Sequence, residues 1–372
     1  MHKLYLILMV MMLTATDAVA ADEELLRQIY TQIPQESLTK ISTEEVAVAL
    51  LKGLNRVDKK LQVGNDNDKI SLYYQGKLLT SRYKPQERDN AAQWAALSAE
   101  LTDLAVDNSK LAAKHDFELV DLMLQAAIDK MGKGAKFYMS TEEMRGKKFK
   151  HQVHFAARTE GEYLYIKILD FNAYTYDNTV EAINNHKNAG GLILDLRGNP
   201  GGRFDEAVRI ADLFLDNEII ASTKGRKAED AVYYNAEQGD VWQGKPIVIL
   251  VDAETASAAE VLTAALQEQG RAKVIGTKTF GKASVQKLIT LNSGSIVAIT
   301  KAYYYTPSGF LIEGKGIIPD VCTFEMPEAK NIDNLLALPK NENCRGQARK
   351  NEGLDLDAAK RLLEKSKQPQ TV

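Results

Sequence analysis

The sequence predicts an α/β core behind a mainly helical N-terminal region. Two stretches, Gly191 to Leu196 and Ile247 to Val251, are apolar without alternation, as strands are when both faces of a parallel sheet are covered. Segments of helical periodicity, Asn178 to Lys187, Phe204 to Phe214 and Ala258 to Gln269, stand between and after them, the alternation that parallel strands need for their crossovers. Before about residue 150 the helical period dominates instead.

Taken in order, residues 1–20 read as a signal peptide. Met1-His2-Lys3 supplies the positive start, Leu4 to Leu13 the apolar run, and Ala18-Val19-Ala20 a small-residue cleavage site. The run is about half of the ~20 residues a spanning helix needs, so no transmembrane anchor is expected. The mature chain is expected to be exported, to the periplasm or beyond. Residues 21–150 are expected to be mainly helical. Ser42-Thr43-Glu44-Glu45 has the form of a helix start, and a small hairpin joins Ile70–Tyr74 to Leu78–Thr80 through Gln75-Gly76-Lys77. Helical patterns follow over Ala91–Val106 and Phe117–Lys130, and Gly132-Lys133-Gly134 and Arg145-Gly146-Lys147-Lys148 mark loops. Residues 151–325 form the expected core, with further strands at Tyr163–Ile168, Lys273–Ile275 and Ser295–Ile299. Residues 326–372 are a C-terminal extension carrying an amphipathic helix over Leu356–Lys365.

The 372 residues are 45% hydrophobic and 26% charged with a formal net charge of −3, so no nucleic-acid partner is expected. The only cysteines are Cys322 and Cys344. In an oxidising compartment such a pair is a candidate disulfide, closing the segment that contains Pro327 and Pro339. Neither lies in a Gly-rich loop or beside a histidine, which argues against a catalytic thiol. His2, His115, His151, His154 and His186 are scattered without ligand spacing, so no metal, no cofactor and no Ser/His/Asp triad is expected.

Ser257 and Lys282 are the candidate catalytic pair. Ser257 opens a predicted helix in Glu254-Thr255-Ala256-Ser257-Ala258-Ala259-Glu260, and Lys282 follows in Thr279-Phe280-Gly281-Lys282-Ala283-Ser284-Val285-Gln286. A hydroxyl becomes a useful nucleophile only when a base takes its proton, and a lysine does so only when neutral. Free lysine titrates near about 10.4, so a base lysine is expected to be buried among apolar groups. Arg197-Gly198-Asn199-Pro200-Gly201-Gly202 makes a strand–turn–helix junction whose glycine N–H groups can approach a ligand. With Ala258 N–H at the positive end of its helix, Gly201 or Gly202 is the candidate oxyanion hole. Each feature alone has an ordinary reading: Ser257 as a helix N-cap, Lys282 as a solvated side chain, the Gly-rich loop as a turn.

Together these motifs resemble the C-terminal-processing, or tail-specific, peptidases, a family of serine peptidases with a Ser/Lys dyad. The family's Ser-Ala-Ser-Ala-Ser-Glu run is matched by Thr255 through Glu260, and its Thr-Phe-Gly-Lys-Gly-x-Val-Gln run by Thr279 through Gln286. Leu194 through Gly202, Leu266 through Ala272, Ala302 through Gly309 and Gly314 through Asp320 are similar to further family segments, so the resemblance covers roughly Tyr163 to Val321. It implies Ser257 as nucleophile, Lys282 as base and Gln286 as the amide orienting the lysine, with Glu260 and Thr279 in support. It also implies a ClpP/crotonase-like spiral core, polypeptide substrates and a serine endopeptidase activity. Family members usually carry a PDZ domain before the core, and here the short interval after Gly134-Ala135-Lys136-Phe137-Tyr138 is expected to leave no room for one. The helical N-terminal region then becomes the candidate surface for an adaptor or for self-association. Two other readings stay open: a catalytically silent peptide-binding relative, and an acyl-CoA enzyme on the related crotonase fold.

Overall fold

The computed structural model describes residues 23–139, 154–237, 239–324, 332–348 and 353–367. The expected signal peptide and the Arg145–Lys148 loop lie outside these residues. The chain divides into two units, Met1–Lys148 with Gln286–Lys301, and Phe149–Val285 with Ala302–Val372. No described helix is long and apolar enough to cross a membrane.

The first unit is mainly helical, with a small antiparallel sheet. In helix α1 (23–36), Leu25, Leu26, Ile29, Tyr30 and Ile33 recur at helical spacing and are buried on one face. Helix α2 (Thr43–Lys52) begins with a capping box, Ser42 N–H donating to Glu45 Oε2 (2.7 Å) and Glu45 N–H to Ser42 Oγ (3.1 Å). Strands β1 (Leu61–Asn65), β2 (Lys69–Tyr74) and β3 (Lys77–Tyr83) pair in that order, β2 and β3 as a tight hairpin. Helix α3 (Ala91–Asn108) follows, then α4 (Leu119–Ala127), a shorter helix than the 117–130 periodicity suggests because 3-10 turns replace its ends. Strand β4 (Lys136–Tyr138) pairs antiparallel with residues 296–298. The return segment Gln286–Lys301 belongs to this unit because Ile289, Leu291, Val297 and Ile299 are buried in the same core as Leu50, Leu54 and Met123.

The second unit has the α/β architecture expected. Its strands are β5 (Phe155–Glu160), β6 (Tyr163–Ile168), β7 (Leu192–Asp195), β8 (Ile219–Gly225), β9 (Val232–Asn235), β10 (Ile247–Val251), β11 (Lys273–Gly276) and β14 (Val321–Cys322). Between the two returns the chain runs through β12 (Ser284–Thr290) and β13 (Ile296–Tyr305), each of which passes from one unit into the other. One sheet has the order β14-β11-β10-β7-β6-β5, parallel throughout except for the β5/β6 pair. A second sheet is built on β8, which pairs with β9 and with Ala302–Tyr305 of β13.

Side-chain alternation along the six-stranded sheet gives it two buried faces. Leu164, Ile166, Leu192, Leu194, Ile247, Ile249 and Val251 pack on one side with α5 (Thr175–Asn185), α6 (Phe204–Asp212) and α7 (Ala258–Glu268). Tyr163, Tyr165, Ile193, Val248, Leu250 and Ile275 pack on the other, where α8 (Gly353–Ser366) covers them with Ala358, Ala359 and Leu363. The continuous apolar character of β7 and β10 therefore follows from helices on both faces.

Candidate active site

Three adjacent parallel strands, β7, β10 and β11, run side by side, and the loop after each carries a segment singled out by the sequence. Residues 197–202 follow β7, residues 252–257 follow β10, and residues 277–283 follow β11. Ligand sites in parallel sheets lie at the carboxyl ends of the strands, and here that rule brings together segments far apart in sequence.

Ser257 stands at the junction of β10 and α7 with φ 57° and ψ −120°, a left-handed backbone that a non-glycine residue adopts at a cost of order 1–3 kcal/mol. A serine so held on a sharp strand-to-helix turn projects its hydroxyl from the end of the sheet. Ala258 is the first residue of α7, and among the described residues its N–H finds no protein acceptor.

The Glu260 carboxylate ties the serine to the lysine loop. It is fully buried and accepts four hydrogen bonds between 2.5 and 2.9 Å. Oε2 takes the N–H groups of Ser257 and Lys282; Oε1 takes Gly281 N–H and the Thr279 hydroxyl. Thr279 Oγ1 in turn accepts Ile317 N–H at 2.7 Å, which fixes its proton on Glu260. Burial pushes the Glu260 carboxyl above its ordinary range against the pull of these donors. Every contact is a donor, so the pocket is built around a carboxylate.

The Gly-rich loop is clamped to the same place. Gly201 (φ 98°) lies against the serine so closely that a Cβ there would sit 2.8 Å from both Ser257 Cβ and Ala256 O. Its N–H is already given to Asn199 Oδ1 at 2.8 Å, whereas Gly202 N–H has no protein acceptor among the described residues. Of the two glycines, Gly202 is thus the one with a donor to spare. Gly201→Ala is expected to cost about 1–3 kcal/mol of stability, read by urea unfolding, because no flexible atom can yield. Unchanged stability would mean the close approach is not a constraint.

One side chain departs from the sequence expectation. Lys282, expected to be buried among apolar groups, is exposed, because its loop is fastened through backbone N–H groups that leave the side chain facing water. Gln286 is also exposed, falls in the first unit, and donates from Nε2 to Thr300 Oγ1 at 3.0 Å. Cys322 and Cys344 form a disulfide.

The sequence reading missed the buried polar groups that brace these loops. Asn199 Nδ2 donates to Ile168 O while Asn199 O accepts Ala256 N–H. Asp252 Oδ1 accepts the N–H groups of Gly198, Glu254 and Thr255, and Thr255 Oγ1 donates to Leu196 O. Behind them Asp195 holds Arg197, Lys167 and Tyr165, and Arg197 reaches Asp355 of α8 at 3.1 Å. Burial alone would raise the Asp195 carboxyl, but its bonds to Arg197, with Lys167 and Tyr165, hold it below the usual carboxylate range. The available signal was position: Asp195 ends one strand and Asp252 directly follows another.

Fold and loop placement together define an α/β domain whose singled-out loops gather at the carboxyl ends of three adjacent parallel strands. Residues 162–323 match the family model of Peptidase family S41. The Carboxy-terminal-processing protease of Bartonella bacilliformis is similar at 41% identity over 170 residues, 44% of this chain and 39% of that protein. The Carboxyl-terminal-processing protease of Synechocystis sp. is 39% identical over 158 residues, 42% of this chain and 36% of that protein. The chain thus aligns with less than half the length of these curated relatives. Among solved structures, a photosystem II D1 C-terminal processing protease is similar at 27% identity, over 56% of this chain and 52% of that one, with a TM-score of 0.41.

Proposed function

We propose that the chain is an exported serine endopeptidase that cleaves polypeptides through a Ser257/Lys282 dyad and an acyl-enzyme, processing or degrading proteins of the cell envelope. The observation that carries this reading is the buried Glu260 carboxylate, which accepts N–H groups from the serine and the lysine segments together. The matched S41 segment and relatives bearing the name carboxy-terminal-processing protease support peptide-bond hydrolysis as the reaction. Export rests on residues 1–20 alone.

In this mechanism neutral Lys282 takes the Ser257 proton as Oγ attacks a peptide carbonyl carbon. The carbonyl oxygen becomes an oxyanion facing the N–H groups of Ala258 and Gly202. Collapse breaks the C–N bond, the lysine ammonium returns its proton to the leaving amine, and water repeats the cycle on the ester. The exposure of Lys282 gives the substrate a part: a peptide laid across the loop covers the amine and excludes water from it. Gln286 keeps an amide oxygen that its bond to Thr300 does not use. The N-terminal unit is the proposed surface for an adaptor or a second copy.

Purified protein is expected to degrade an unstructured polypeptide such as casein, with Lys282→Ala slower by on the order of 10³-fold or more, read by mass spectrometry of the new termini. Activity should rise from acid to alkaline pH as the base deprotonates. A flat profile between about pH 5 and 9 would count against Lys282 as base. The exposed Lys282 is also what a silent peptide-binding relative would display, and that reading wins if wild type and variant bind peptides yet neither cuts.

A further inference from the structure

The segment 341–347, Asn-Glu-Asn-Cys-Arg-Gly-Gln, lies against the roots of both reactive loops. Gln347 O accepts Ala253 N–H at 3.3 Å and the Thr277 hydroxyl at 2.9 Å, and Gln347 N–H donates back to Thr277 Oγ1 at 3.1 Å. Gly346 fits so tightly that a Cβ would stand 2.9 Å from Lys278 O and 3.2 Å from Ala253 Cβ. Ala253 stands shortly before Ser257 on its loop, and Thr277 and Lys278 shortly before Lys282 on theirs.

What holds this strap is not hydrophobic burial. Of its seven residues only Cys344 is buried; the other six are exposed and polar or glycine, so little apolar area leaves water when the strap docks. Its fastening is the bond to Cys322, whose own strand pairs with the end of β11 through Gly276↔Cys322 and Ile275↔Val321. Thr323 N–H adds a bond to Gly276 O at 2.8 Å. The disulfide therefore joins the strap to β14, the strand paired with the one from which the lysine loop departs.

We propose that segment 341–347, tethered by Cys322–Cys344, is a positioning element for the Ser257 and Lys282 loops, so that reduction of the disulfide lowers turnover without unfolding the domain. The activity arm of this proposal rests on the peptidase reading above. Chemically, a dithiol supplies two electrons and two protons, the S–S bond becomes the thiols of Cys322 and Cys344, and the dithiol closes to its own disulfide. Released, the strap withdraws its acceptor from Ala253 and both partners from Thr277. The geometry of a nucleophile and its base is sensitive to shifts of about 1 Å, which can cost on the order of 10²-fold.

The test compares full-length protein before and after dithiothreitol, and a Cys322→Ser/Cys344→Ser variant, by cleavage kinetics and by amide hydrogen exchange. Reduction is expected to lower kcat about 10- to 100-fold with a smaller change in KM, and to speed exchange at residues 253–257 and 277–282 selectively. The double variant should show the reduced behaviour with or without dithiol. In oxidised protein Thr277→Val, which removes the strap's side-chain anchor, should shift kcat and exchange in the same direction. Equal kcat and equal exchange in both redox states overturn the proposal, as does a uniform loss of protection across residues 154–324, which would make the bond a general staple. If oxidised protein does not cut at all, the peptidase reading fails by itself and the exchange pattern still decides whether the strap positions the loops.

Discussion

Replacing Ser257 by glycine is expected to lower cleavage by on the order of 10⁴-fold while leaving the protein more stable than its Ser257→Ala counterpart by about 1 kcal/mol. Both substitutions remove the hydroxyl, and with it the only nucleophile the mechanism names. They differ in the backbone. At φ 57° and ψ −120° a Cβ is strained, and alanine retains that strain whereas glycine has no Cβ to strain. Glycine's greater freedom in the unfolded chain works against this gain, which keeps the expected difference modest. The comparison separates two roles of one position: the hydroxyl that reacts and the turn that presents it. Urea unfolding of the two variants beside wild type, with casein cleavage in parallel, reads both. An alanine variant as stable as the glycine one would remove the argument that the turn stores strain, and near wild-type cleavage by either would remove Ser257 from the chemistry.

That strain was invisible in the sequence, where Ser257 reads equally well as an ordinary helix N-cap. Strand–helix alternation was legible because β7 and β10 are covered on both faces, so their apolar runs carry no competing period. Helix α7 was legible from its apolar stretch and its stop at Gly270. Strands β8, β9 and β12 were not, since their exposed positions break any clean alternation: Val232, Tyr233 and Leu288 face solvent. The exposure of Lys282 could not be read either. Whether a lysine is covered depends on which atoms of its loop are fastened, and here the fastening is backbone N–H to a carboxylate distant in sequence. The bracing by Asn199, Asp252 and Thr255 escaped for the same reason, because each bonds to backbone groups that only the parallel register brings near. The disulfide partners, by contrast, needed no geometry: two cysteines in a chain read as exported leave one pairing.

Glu260→Gln is expected to reduce kcat by on the order of 10²-fold and stability by about 1–3 kcal/mol, although it preserves the volume of the side chain. The carboxylate meets donors on both oxygens, Ser257 N–H and Lys282 N–H on one, Gly281 N–H and the Thr279 hydroxyl on the other. A carboxamide has one oxygen. Whichever way it is turned, its NH₂ confronts at least one backbone N–H, leaving a buried donor unsatisfied. Turned so that oxygen faces Ser257 and Lys282, it loses Gly281; turned the other way, it loses the serine and the lysine segments together. Neither arrangement keeps all three N–H groups in register, and these are the bonds that set the two reactive segments relative to each other. Because no substrate atom touches Glu260 in this scheme, KM should move less than kcat. A Glu260→Gln enzyme with wild-type kcat would show that the two loops hold their geometry without the carboxylate. A variant with raised KM and unchanged kcat would place Glu260 in substrate binding rather than in positioning the dyad.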